Sequence, residues 1–152
     1  LSAYEAKLRV REKKHPKFYW IDPGIARTVR QESEVDQENS GCLFEGWIAQ
    51  LLRSYQEYRE LYDEMYYWSP SESKETEVDF LLKRGRQFTA IEVKATKRLR
   101  DSHFKGLRAI QDLNRLSRSI LVYMGGEDLQ IDKKIEVLSV ESFCKTLEEG
   151  KL

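Results

Sequence analysis

Glu77-Val78-Asp79-Phe80-Leu81-Leu82-Lys83-Arg84-Gly85-Arg86-Gln87-Phe88-Thr89-Ala90-Ile91-Glu92-Val93-Lys94 reads as two strands joined by a turn, and the rest of the fold follows from it. Alternate side chains of a strand share a face, so Glu92 and Lys94 point together while Ile91 and Val93 point to the other side. One face is polar and the other is core. In the preceding strand Val78, Phe80 and Leu82 form one face, with Asp79 and Leu81 on the other. Lys83-Arg84-Gly85-Arg86 supplies the reversal, which Gly85 eases. A loop on Arg84-Gly85 pairs Asp79 with Ala90 and leaves Glu92 diagonally across, roughly 7–8 Å away on the same face. A loop on Gly85-Arg86 pairs Asp79 with Glu92 directly. A three-residue loop sends Asp79 to the opposite face unless a bulge restores the phase. Bringing Asp79, Glu92 and Lys94 together therefore requires an even loop or a bulge.

Outward from the hairpin, Met65-Tyr66-Tyr67-Trp68 is a further strand, followed by a polar loop over residues 69–76. A long helix is expected from a cap at Asn39 or Ser40 to about Asp63, with Phe44, Ile48, Leu51, Tyr55, Tyr58 and Tyr62 as its apolar stripe. At about 100° per residue, Glu45 falls beside Leu52 at the stripe's margin, which makes this carboxylate a candidate third acid on the sheet. Lys17-Phe18-Tyr19-Trp20-Ile21 reads as a short aromatic strand stopped by Asp22-Pro23-Gly24, then a short helix to Arg30 and an acidic loop over 31–38. After the hairpin, Ser102 caps a helix to about Leu116, with Leu107, Ile110, Leu113 and Leu116 at helical spacing. Residues 119–124 are an apolar run suited to a strand buried on both faces, Ile135–Leu138 is another strand, and Glu141–Glu149 is a final helix. The expected fold class is α/β, an αβββαβ core whose mixed sheet has an antiparallel hairpin and a crossover helix leading to a parallel neighbour.

A length of 152 residues with 40% hydrophobic content suits one domain with its own core. Cys42 and Cys144 match no metal-ligand or redox spacing and read as thiols of a reducing compartment. There is no apolar run of membrane-spanning length, and Leu1-Ser2-Ala3-Tyr4 lacks a secretion signal's apolar stretch, so a cytoplasmic chain without a membrane partner is expected. Leu1 in place of Met suggests a piece of a longer protein. The 26 basic and 26 acidic residues balance, but they are segregated. From Lys94 to Arg118 there are eight basic residues against Asp101 and Asp112. From Gln31 to Asp79 there are thirteen acids against Arg53, Arg59 and Lys74. Charge runs are ordinarily solvated surface. This one begins at Lys94, so Lys97, Arg98, Arg100, Lys105 and Arg108 form a candidate nucleic-acid interface. His15 and His103 have no ligand spacing and read as surface residues.

Glu45 on the first core helix, Asp79 on one strand and Glu92-x-Lys94 on the next resemble the PD-(D/E)XK nuclease superfamily. More narrowly, the chain resembles the C-terminal nuclease-like domain of prokaryotic AAA-type ATPases. Lys17-Phe18-Tyr19-Trp20-Ile21-Asp22-Pro23-Gly24 is similar to that family's opening strand and turn, and Gly41-Cys42-Leu43-Phe44-Glu45 to its helix start. Tyr67-Trp68, Glu77-Val78-Asp79-Phe80-Leu81 and Ile91-Glu92-Val93-Lys94 complete the set in order from Lys17 onward. The resemblance implies a restriction-endonuclease-like fold over residues 17–152 and a connector over 1–16 from an upstream ATPase module. It also implies nucleic acid, DNA in preference to RNA, as partner. Val78 stands where the superfamily's name has proline, and Gln111 is available for the glutamine often found on the following helix. No Gly-x-x-x-x-Gly-Lys-Ser/Thr loop is present, so no ATP site is expected in this chain.

The expected chemistry is Mg²⁺- or Mn²⁺-dependent phosphodiester hydrolysis. Asp79 and Glu92, aided by Glu45 and the backbone carbonyl of Val93, are the expected ligands, because hard cations take oxygen donors. Lys94 orients the attacking water or stabilises charge on the phosphate. The bland alternative for Glu92-x-Lys94 is a surface ion pair worth roughly 0–1 kcal/mol. Two other classes stand beside the enzyme: a module that grips nucleic acid without cutting it, and a regulatory domain that docks on its own ATPase or another protein.

Overall fold

A computed structural model describes residues 1–4, 15–29, 31, 37–70 and 76–152. The expected connector over 5–14, the helix end at Arg30, the acidic loop residues 32–36 and the loop residues 71–75 lie outside the described residues. In chain order the elements are α1 (Pro23–Val29), α2 (Gln37–Arg59), β1 (Glu64–Trp68), β2 (Val78–Arg84), β3 (Gln87–Lys94), α3 (Lys105–Ala109), β4 (Leu116–Tyr123), β5 (Leu129–Ile131), β6 (Ile135–Ser139) and α4 (Val140–Glu148). The strands form one mixed sheet in the order β1-β2-β3-β4-β6-β5. Its β1-β2-β3 part is antiparallel, and β3, β4 and β6 run parallel. The order α2-β1-β2-β3-α3-β4 is the expected αβββαβ. Among the described residues no helix is long and apolar enough to cross a membrane.

The β2–β3 turn is the two-residue version: Arg84 lies opposite Gln87, with Gly85 at φ 57, a left-handed conformation that glycine adopts without strain. The same register pairs Phe80 with Ile91 and, continued, sets Asp79 opposite Glu92. A bulge is present as well. On the other side of β2, Tyr66 pairs with Leu81 and Trp68 with Val78, so two steps along β1 span three along β2. The strict alternation expected of β2 fails there. Val78 packs with Leu81, Ala90 and Leu107 under α3, whereas Phe80 packs with Ile48, Leu52 and Ile91 under α2. These are the two halves of the core, one on each face of the sheet. The α2 and α4 side also holds Val93, Val122, Phe143 and Leu147; the α3 side holds Phe104, Ile110, Leu121 and Val137.

Several elements differ from expectation for identifiable reasons. Residues 17–20 form no strand, although Lys17 and Tyr19 still turn inward while Phe18 is 76% exposed. The main-chain bonds of Lys17 go instead to Leu1, and residues 2–4 bond along β1 through Tyr67. Helix α2 starts at Gln37, two or three residues before the expected cap at Asn39 or Ser40, and stops at Arg59, short of the expected Asp63, where Glu60 takes a left-handed φ of 50. Tyr58, still within α2, is exposed instead of lying in the stripe, and Ala49 and Leu52 are in the core. The helix expected over 102–116 is broken. A 3₁₀ turn over Asp101–Phe104 leads into α3, a second over Ile110–Asp112 follows it, and Leu113 is extended. Leu116 is claimed by the ladder with Phe88, which the left-handed turn at Arg115 delivers. The short strand β5 was not expected.

Candidate functional site

The start of β2 and the end of β3 meet at the edge of the α3 face, at the C-terminal end of the parallel strands, where open α/β sheets place ligands. Asp79 is 5% exposed. Its Oδ2 accepts the backbone N–H of Val93 at 2.9 Å, so the β2 bulge fixes the carboxylate against β3 and leaves Oδ1 directed outward. That Oδ1 lies 3.1 Å from Lys17 Nζ, which also lies 3.0 Å from Glu45 Oε1 and 2.7 Å from Glu77 Oε1. Glu45 reaches this point from the first turns of α2, and its Oε1 also accepts the Tyr19 hydroxyl at 2.6 Å. Beside the tripod, Lys94 Nζ contacts Glu92 Oε1 at 2.5 Å.

The charges do not cancel. Glu45, Glu77, Asp79 and Glu92 are four carboxylates, and Lys17 and Lys94 are two ammonium groups, an excess of two acids. Glu92 carries the consequence. Burial first, and then the neighbouring Asp79 charge, push its carboxyl up to about 8 against the opposing pull of Lys94. Its Oε2 is buried and, among the described residues, has no hydrogen-bond partner. Burial acts to lower the pKa of Lys17, but Asp79, Glu45 and Glu77 outweigh it and hold the ammonium above the ordinary lysine value. Lys94 is raised in the same way, burial being overcome by Glu92 and Asp79. Tyr19 is raised by burial and by Glu45. Gly106 of α3 closes the floor: a Cβ there would overlap the Glu77 carbonyl and sit 3.5 Å from Glu92 Oε2.

The four sequence-selected side chains thus come together, with Asp79, Glu92 and Lys94 on one side of the sheet and Glu45 reaching them from α2. Val93 contributes its N–H to Asp79, and its side chain belongs to the core. Their oxygens are the hard donors that Mg²⁺ or Mn²⁺ takes. Among the described residues, however, no group of three such side chains is spaced for a metal as arranged. The carboxylates stand at ammonium distances of 2.7–3.1 Å, wider than the roughly 2.0–2.1 Å of Mg²⁺ to oxygen.

A family model described as a domain of unknown function, DUF4143, matches residues 40–143. The chain belongs to the DUF4143 family. The matched stretch runs from the first turns of α2 to α4 and includes Glu45, Glu77, Asp79, Glu92 and Lys94, but stops short of Lys17 and Tyr19. No curated protein and no solved structure matches the chain.

Beyond the acids, the DUF4143 domain carries Lys97, Arg98, Arg100 and Lys105 exposed on the segment leaving β3. Arg108 is committed elsewhere, to Asp101 and Asp132 and over the Phe104 ring. Gln111 donates to Leu107 O and Ser119 Oγ. His103 is half-buried, not a free surface residue. Burial, then Lys94 and Arg100, lower its pKa. Lys17, Tyr19 and Glu77 were not among the residues selected from sequence. The Lys17-x-Tyr19 alternation was the available signal, and Glu77 was visible two residues before Asp79.

Proposed function

We propose that this DUF4143 domain is a divalent-metal phosphodiesterase of the nuclease type, joined to an upstream AAA-type ATPase module. One observation carries the reading: three carboxylates from two separate segments, Glu45 of α2 and Glu77 and Asp79 at the entrance of β2, converge on a single cation position, with the acid-lysine pair of β3 alongside and two more acidic than basic side chains in the cluster. A purely structural ion cluster has no need of that surplus of acids, nor of a buried carboxyl oxygen left without a partner among the described residues. Asp79, Glu92 and Glu45 would hold Mg²⁺ or Mn²⁺, with the Val93 carbonyl as a further ligand. When bound, the ion supplies Lewis acidity to the phosphate and acidifies a coordinated water.

The chain's own residues do the rest. The Val93 N–H fixes one oxygen of Asp79, so the other keeps its aim without side-chain reorganisation. Lys94, about 30% exposed and held by Glu92, presents a positive charge at the mouth of the site, where it can hold a water or meet a developing phosphate charge. Lys97, Arg98, Arg100 and Lys105 continue outward as a track for a polyanion.

The test is a cleavage screen on single- and double-stranded DNA and RNA with Mg²⁺ or Mn²⁺. Wild-type protein should cut, Asp79→Ala should not, and Lys94→Ala should lose about two orders of magnitude or more in rate. Turnover unchanged in Asp79→Ala refutes the site. The exposed apolar residues Phe18, Ile21 and Val29, at 76%, 76% and 61%, favour a second reading in which the domain docks on a protein partner. Absence of cleavage together with salt-insensitive binding to that partner would select it.

A further inference from the structure

The ammonium of Lys17 occupies the one point on which Glu45, Glu77 and Asp79 converge. Its main chain is tied in both directions to Leu1, at 2.6 and 2.9 Å, so the side chain is delivered from a segment packed against the sheet edge. A divalent ion ligated by Asp79 and Glu45 needs the same oxygens at shorter range, and two cations cannot share them. We infer that Lys17 is the resident competitor for the metal seat, so that a divalent ion binds only when the Lys17 ammonium withdraws and the carboxylates contract around the newcomer.

This rests on the metal reading above and adds a residue that sets whether the seat is open. Three further observations support it. Glu92 Oε2, fully buried beside the tripod and without a hydrogen-bond partner among the described residues, is an oxygen that the ammonium leaves unused and an ion would take up. Lys17 also lines an open groove whose walls include Glu57, Asp63 and Glu64, which gives the displaced ammonium both space and acidic surroundings. Tyr19 shares Glu45 with Lys17, so withdrawal of the lysine leaves Glu45 still held in place from the same segment. The apparent affinity for metal is then reduced by the fraction of molecules in which Lys17 has withdrawn.

Mn²⁺ titrations followed by calorimetry and by electron paramagnetic resonance, on the full chain, test the inference. Lys17→Met, which keeps the stem and removes the charge, should bind Mn²⁺ about tenfold or more tightly than wild type. Adding Asp79→Ala to it should abolish binding. Equal or weaker binding by Lys17→Met overturns the competition while leaving the metal site standing. If neither wild type nor Lys17→Met binds, the metal reading itself fails, and the competition with it. Lysine acylation read by mass spectrometry gives an answer on the unaltered protein: Lys17 should be protected in chelator and labelled at saturating Mg²⁺. Protection that persists once Mg²⁺ is bound overturns the inference.

Discussion

Glu92 is buried beside a surplus of negative charge, and that decides how the fold responds to pH. Its folded pKa of about 8 lies above the ordinary value of 4.5, so the neutral acid is the form the fold favours. The contribution to stability is complete below about pH 4.5 and is lost as pH rises through 8. In chelator-treated protein, urea midpoints should fall across that window for wild type and stay flatter for Glu92→Gln. By pH 9 the variant should be more stable by a few kcal/mol. Parallel pH profiles would show that Glu92 is ionised throughout. Glu92 and Lys94 were legible in sequence because strand alternation places i and i+2 together, and Asp79 because a two-residue turn sets it opposite Glu92. Lys17 was not, because its meeting with Asp79 spans 62 residues and is set by where residues 1–4 and 15–20 lie on the sheet edge.

At the level of elements, two positions show opposite uses of glycine. Gly106 lets α3 touch the β2 entrance; Gly106→Ala forces backbone against a methyl group and should cost roughly 1–3 kcal/mol in equilibrium unfolding. Glu60 is the reverse case, a side chain in a left-handed conformation at the end of α2. Glu60→Gly should raise stability by about 1 kcal/mol, and a lowered melting temperature would count against that reading. The hairpin and β4 were readable because their patterns are local. The 102–116 segment was not: its leucine spacing is helical, yet Leu116 gains more from the ladder beside Phe88 than from another helical turn. Strand β5 is three residues long with Gln130 at its centre, too short for any periodicity to register.

Across the whole molecule, the αβββαβ order and the two-sided core followed from the sequence of apolar patterns, and the charge runs were visible along the chain. What the pattern could not supply is which basic residues remain available. Arg108 is bound to two aspartates, whereas Lys97, Arg98 and Lys105 are exposed and, among the described residues, pair with no carboxylate. Replacing those three with Glu should weaken nucleic-acid binding and make the slope of log affinity against log salt shallower by roughly 2–3. Arg108→Gln should leave the slope unchanged. An unaltered slope in the triple variant would place the polyanion elsewhere on the surface. The most direct measurement of the central claim is anomalous diffraction from crystals grown with Mn²⁺. The expected result is a peak coordinated by Asp79 and Glu92, within reach of Glu45, with the Lys17 side chain turned away. Crystals whose Lys17 ammonium still sits among Glu45, Glu77 and Asp79 at saturating Mn²⁺, with no peak beside it, would contradict it.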